Sequence, residues 1–482
     1  MSKSKTVNLT SGNVWKTLLL YTLPLFGSAM VQQLYSLVDL LVVGNFAKEG
    51  ALAVDAIGNA TVIINVLLSF ALGANGGCSV VIARHFGEND NKKVRETVNT
   101  SFIAVAVLCT VIAALGFGFG NLSLVALDVH GTYFDDCLGY LYIYVGSLPF
   151  VFFYNLGCGI CSALGDSKTP FIFLVISSVM NVGLDICFVY GLHWDVAGAA
   201  WATFISQAVC CVLTVFVLVR KVRTIKSEEK PKIFDKRILK ELTVASVPII
   251  LQQSFVSVGN FFVNRCINGL DEEGNATTGF TTAFKVLVVA TMSSVAMSNG
   301  FSNFASQNRA AGQYGRVRKG YWVMQCYSMA ITLLFVILFV SCPEFLTRLF
   351  IQKDKLNDIA LGYSVQYLTI VSCFLPVVSV KIISDSAVRG CGGNLGFTVS
   401  TFTDLLLRVM LVYVLVGCGW GFSGVCWAWA IGWSISAVIA AGFWALMVKK
   451  LKKAQKSAAI TPEDPCGAIA EVSDSPSDGD NN

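Results

Sequence analysis

The chain has 482 residues, of which 55% are hydrophobic, 12% aromatic and only 13% charged, a balance far from that of a soluble domain. Its net charge of +5 is spread over short segments between apolar stretches, so it gives no ground for a nucleic-acid partner. His85, His130 and His193 are the only histidines, and no HExxH, GxSxG or Walker A pattern accompanies them, so the chain is not expected to be an enzyme.

About twelve apolar stretches are long enough to cross a bilayer core, which takes roughly 20 helical residues. In chain order they centre near Ala29, Phe70, Val107, Phe152, Val179, Val209, Phe255, Val295, Leu333, Val378, Leu411 and Ala437. The first, Val14 to Val43, is too long for a signal-peptide core and lacks a small-residue exit, so it is read as a retained span. The expected organisation is a cytoplasmic N-terminus (1–13), a six-helix lobe (14–220), a linker mixing Lys, Glu and Pro (221–242), a second six-helix lobe (243–448) and a disordered tail (449–482). The fold class that follows is all-α and polytopic.

The two lobes echo each other. Phe171 to Thr214 returns as Phe397 to Ala440, with Gly191, Trp194, Gly198, Trp201 and Ala202 reappearing as Gly417, Trp420, Gly424, Trp427 and Ala428. Upstream, Pro24 matches Pro248, Asn75-Gly76 matches Asn299-Gly300, and Leu148-Pro149 matches Leu375-Pro376. Duplicated membrane proteins of this kind work by moving one half against the other around a central site.

Most Lys and Arg fall on one side: the N-terminus, Arg84 to Arg95, Lys168, Arg220 to Lys240, Arg309 to Lys319, Arg389 and Lys449 to Lys456. The opposite loops carry only Lys48, Arg348, Lys353 and Lys355. The positive-inside bias therefore places both termini in the cytoplasm. The sixteen cysteines sit mostly within the apolar stretches and behave as small hydrophobes. Cys158 and Cys161 have CxxC spacing but no second pair, so no metal centre is expected.

Charges inside the spans are costly and are paired, hydrated or used. Lys381 and Asp385, like Asp404 and Arg408, lie four residues apart on one helix face. Asp404 and Arg408 are read as a structural pair, whereas Lys381 and Asp385 form either such a pair or a substrate contact. Lys285 in span eight suits an anionic group or an interlobe pair with Asp39 or Asp185. Arg265 lies at the outer end of span seven, where it can snorkel. Asp39 in span one and Asp185 in span five have no basic partner within helical reach. Asn181 lies one turn before Asp185 on the same face, and Thr203 lies in span six. If span one packs on these helices, two carboxylates, an amide and a hydroxyl converge into an oxygen-rich pocket suited to a proton or to sodium.

At these residues the chain resembles the multidrug and toxic compound extrusion (MATE) transporters, over about residues 10 to 450. The resemblance rests on Leu23-Pro24, Gln32-Gln33, Asp39 and Gly44; on Gly76 with Arg84-His85-Phe86-Gly87; and on Ala163-Leu164-Gly165-Asp166-Ser167-Lys168-Thr169-Pro170. It continues through Asn181-Val182-Gly183-Leu184-Asp185, Gly198 to Thr203 and Gln307-Asn308. It implies a V-shaped carrier of two six-helix bundles that exports organic cations and amphipathic drugs in exchange for protons or sodium, with no cofactor. Asp39, Asn181, Asp185 and Thr203 match that family's N-terminal cation site, Pro24 its span-one hinge, and Gln33, Lys285, Lys381 and Asp385 are candidate cavity residues. A monomer in a bacterial cytoplasmic membrane, in contact with lipid, is implied as well. Some relatives carry an acid in span seven, but Gln252 to Asn264 offers only Gln252, Gln253, Asn260 and Asn264 as polar residues of that size. The alternative is a lipid-linked oligosaccharide flippase of the same superfamily, which would call for more cavity cations than are evident.

Overall fold

Bilayer-length apolar helices bury small and polar side chains against each other and turn large aliphatic ones outward, the reverse of a soluble bundle. The computed structural model follows that logic: Val107, Val212, Leu334 and Val438 are exposed, while Thr97, Thr100, Ser101, Ser328 and Ser364 are buried. It describes residues 7–47, 50–126, 129, 133–227, 229–271, 273–350 and 357–460. The expected outer-loop cations Lys48, Lys353 and Lys355, with His130, lie outside these residues.

The first lobe comprises α1 (Val14–Phe46), α2 (Gly50–Gly87), α3 (Asn91–Ala126), α4 (Phe134–Ala163), α5 (Lys168–Asp185) and α6 (Asp195–Thr224). The second comprises α7 (Lys236–Asn268), α8 (Asn275–Ala310), α9 (Tyr314–Ser341), the short α10 (Pro343–Phe350), α11 (Asp358–Ser372), α12 (Leu375–Gly390), α13 (Asn394–Leu415) and α14 (Gly421–Ile460). No strand occurs among the described residues. The linker is shorter than 221–242, because α6 continues to Thr224 and α7 begins at Lys236, where Asp235 caps it by accepting the Arg237 amide at 2.8 Å. Likewise α14 carries the chain helically to Ile460, past the expected start of the tail at 449; residues 461–482 lie outside the described set.

By length and apolarity, ten helices among the described residues reach across a bilayer core, or eleven when α11 and α12, bent by 53° at their break, count as one. The expected twelve is not reached on that criterion, because Asn394–Ser457 passes as one 64-residue stretch. Its two parts, α13 and α14, nonetheless pack side by side around a reversal at Gly419 (φ 85°) and Gly421 (φ 51°), conformations that a side chain resists. The internal repeat shows in outline here: α5 and α13 both run on into a π-helical turn, Ile186–Gly191 and Val416–Trp420, the second set later in the repeat register and broken at Gly419.

The lobes meet crosswise, with α2 against α7 and α1 against α8. Matched glycines serve matched contacts. A Cβ on Gly76 would come 2.9 Å from Ile249, beside Pro248, and one on Gly300 would come 2.7 Å from Leu25, beside Pro24. The described cross-lobe hydrogen bonds run from mid-helix toward the end that carries the linker. They include Ser69 to Ser254 at 2.7 Å, Ser79 to Asn303 at 2.5 Å and Gln307 to the Ala163 carbonyl at 2.6 Å. The N-terminal segment straps the same end: the Val7 amide donates to the Gly165 carbonyl at 3.0 Å, and the Leu9 carbonyl accepts from Asn308 and Arg316.

Candidate functional site

Helix α5 starts where Asp166 accepts the Thr169 amide at 3.1 Å and its hydroxyl at 2.5 Å, while Lys221 of α6 pairs with the same carboxylate. Burial works to raise this carboxyl's affinity for a proton, and Lys221 and Thr169 outweigh it, holding the group below the usual carboxylate range. From that anchor, helical spacing puts Ser177, Ser178, Asn181 and Asp185 on one buried face of α5. Ser177 donates to the Ser206 carbonyl of α6 at 2.9 Å. The buried alanines Ala199, Ala200 and Ala202 let α6 approach closely, which sets Thr203 opposite Asn181. Helix α1 packs on α5 and brings in Asp39.

The four expected residues therefore converge, and all are buried: Asp39 at 8% exposure, Asn181 at 1%, Asp185 at 0% and Thr203 at 3%. The carboxyl groups of Asp39 and Asp185 face each other at close range. Six polar atoms here have no hydrogen-bond partner: Asp39 Oδ1, both side-chain polar atoms of Asn181, both carboxyl oxygens of Asp185, and Thr203 Oγ1. Buried polar groups are normally satisfied, and two carboxylates in one dry site repel. A single positive charge between them answers both demands. Beside them lies a cavity of about 10 Å³ lined by Tyr35, Ser177, Ser178, Asn181, Thr203 and Gln207, room for one water-sized particle. Tyr35, Ser177, Ser178 and Gln207 were absent from the sequence-based set. Their signal was present, since each lies three or four residues from a member of it.

Pro24 sits inside α1, which stays helical through it. Ser28 donates to the Pro24 carbonyl at 2.9 Å and Thr22 to the Leu18 carbonyl at 2.8 Å. Proline removes one ladder hydrogen bond and crowds the preceding turn, so bending of α1 is easiest here, about four turns before Asp39.

In the second lobe the two expected intrahelical pairs form one network. Lys381 Nζ lies 3.5 Å from Asp385 and 3.4 Å from Asp404, and Arg408 donates to Asp404 at 2.8 Å. All four residues are buried, with the Arg408 guanidinium 4.1 Å from the Trp429 ring centroid. Gln33 on α1 is partly exposed and Lys285 on α8 is exposed; α1 and α8 are helices of the lobe interface. Cys158 and Cys161 are free thiols. Among the described residues, no three His, Cys, Asp or Glu side chains gather as a metal site.

The MatE family profile matches residues 24–187 and 248–414, one block per lobe. The chain is 26% identical over 392 residues to the probable multidrug resistance protein YpnP of Bacillus subtilis (strain 168), covering 81% of this chain and 86% of that protein. It is also 26% identical over 415 residues to the probable multidrug resistance protein YoeA of the same organism, covering 84% and 87%. Among solved structures, the outward-facing conformation of a multidrug resistance MATE family transporter of the MOP superfamily superposes with a TM-score of 0.86 at 22% identity, covering 94% of this chain and all of that one.

Proposed function

The chain belongs to the MatE family of multi-pass membrane transporters, and we propose that it is a secondary antiporter, exporting organic cations and amphipathic drugs in exchange for protons or sodium. The observation that carries this reading is the set of six unpartnered polar atoms around Asp39, Asn181, Asp185 and Thr203. A proton or sodium ion entering there neutralises the Asp39–Asp185 repulsion and draws α1 toward α5 and α6. Since α1 also forms the interface with α8, its position sets the space between the lobes. Drug and ion then favour opposite arrangements of α1, and each promotes release of the other. The membrane potential adds about 2.3 kcal/mol per charge per 100 mV to inward cation entry.

In this reading the linker-bearing end, which is closed by the cross-lobe bonds, faces the cytoplasm, and both termini lie on that side of a bacterial inner membrane. Exposed Leu34 and Leu41 on α1 and Phe255, Val258 and Phe262 on α7 then supply the apolar walls that a polyspecific substrate needs. One copy contains the whole proposed ion site, consistent with a working monomer.

The test is efflux of a fluorescent organic cation from proteoliposomes under separate proton and sodium gradients, for the parent and Asp39→Asn. Transport under one gradient that is lost in Asp39→Asn is expected. Equal transport by Asp39→Asn would refute the coupling site, and a parent inactive under both gradients would turn attention to the flippase alternative.

A further inference from the structure

At the linker end of the lobe interface, away from the acid site, lies a cavity of about 510 Å³. Its walls come from α2, α7, α8 and the end of α12. They carry the cations Arg84, Lys240, Arg309 and Arg389 and the acids Glu88 and Glu241. The acids are already engaged: Glu241 pairs with Arg84 and lies 3.5 Å from His85 Nε2, and Glu88 lies 3.0 Å from His85 Nδ1.

Arg389 is the unusual member. It is only 7% exposed, yet among the described residues no carboxylate lies within ion-pair distance of it. Its Nη2 donates to Asn299 Oδ1 at 2.8 Å and its Nε to Ser302 Oγ at 3.3 Å; both acceptors are neutral. The Phe397 ring, 5.3 Å away, is neutral too. Asp385, one turn earlier on α12, is taken up by Lys381. Arg309 also donates to a neutral acceptor, the Cys391 carbonyl, and Lys240 is exposed on the wall formed by α7. A buried guanidinium with no carboxylate in contact is costly; Asp385 acts on this one only from beyond ion-pair distance, and Asn299 and Ser302 orient it without neutralising it.

We propose that this cavity binds a phosphate oxyanion, held by Arg389 and Arg309 with Lys240 closing over it. Guanidinium groups suit phosphate through their forked donors, and basic pockets between membrane helices take up lipid head groups. The ligand is either the head group of an acidic phospholipid from the adjacent leaflet or a soluble phosphate. Either source ties α7, α8 and α12 together at the closed end of the molecule and stabilises that closed arrangement.

The experiment is thermal unfolding of the purified full chain in a neutral detergent. Separate arms add inorganic phosphate, sodium chloride at equal ionic strength, phosphatidylglycerol and phosphatidylcholine. Parent protein and Arg309→Gln are compared, the latter because its exposed side chain makes misfolding the lesser risk, with gel filtration as the check. A midpoint rise of about 2–3 °C at a hundredfold excess over Kd is expected for the phosphate-bearing anion, and its loss in Arg309→Gln. A rise with phosphatidylglycerol but not with phosphate assigns the lipid source, and a rise with both assigns the phosphate group itself. The proposal is overturned if neither anion exceeds its control, or if Arg309→Gln, or Lys240→Gln as the second variant, keeps the full parental rise.

Discussion

Gly77 of α2 and Ser246 of α7 touch across the lobe boundary so closely that a Cβ on Gly77 would lie 2.1 Å from Ser246 Oγ and 2.6 Å from its Cα. The obstacle is backbone, which a rotamer change cannot clear. Gly77→Leu is therefore expected to lower stability by about 1–3 kcal/mol and to weaken closure of this end. Gly58, on the same helix, has nothing near its would-be Cβ, so Gly58→Ala should be neutral or stabilising by about 0.5–1 kcal/mol. Thermal midpoints of both variants check the contrast; equal midpoints would contradict it.

Asp404 is the acid shared by Lys381 and Arg408. Removing its charge leaves buried Arg408 without a carboxylate and Lys381 with Asp385 alone, whereas removing that of Asp385 leaves both cations in contact with Asp404. Asp404→Asn should cost about 3 kcal/mol or more, clearly more than Asp385→Asn, as read from unfolding in detergent. The opposite ranking would show that the network is not organised around Asp404.

Asp166 supplies a pH dependence outside the membrane spans. Its carboxyl is depressed in the folded protein by Lys221 and Thr169 against the effect of burial. Its stabilisation is thus fully present above the unfolded value near about 4 and is lost as pH falls further, through the folded value. The gap in thermal midpoint between parent and Asp166→Asn should be constant from pH 5 to 7 and should close below about pH 4. A gap that widens in acid would show the wrong sign.

The repeat in the sequence made the two lobes legible, because matched residues such as Trp194 and Trp420 close matched turns. Local spacing made the face carrying Asn181 and Asp185 legible for the same reason. What spacing along one helix does not encode is which helices touch. The bond from Lys381 to Asp404 joins α12 to α13, and so two apparent pairs became one network. Nor did the matched Leu-Pro dipeptides predict their surroundings: Pro149 lies inside the continuous α4, whereas Pro376 opens α12 after a sharp bend. Proline permits a break, and the neighbouring helices decide whether one forms. Arg389 looked like an ordinary loop cation, because its burial under α8 is a property of the packed lobes.

The most direct test of the proposed coupling is equilibrium binding of one organic cation to the purified protein across pH and sodium concentration, for the parent and Asp39→Asn. The parent should lose about fivefold or more in drug affinity as the coupling ion binds, and Asp39→Asn should bind with no such dependence. An undiminished ion dependence in Asp39→Asn would contradict the account.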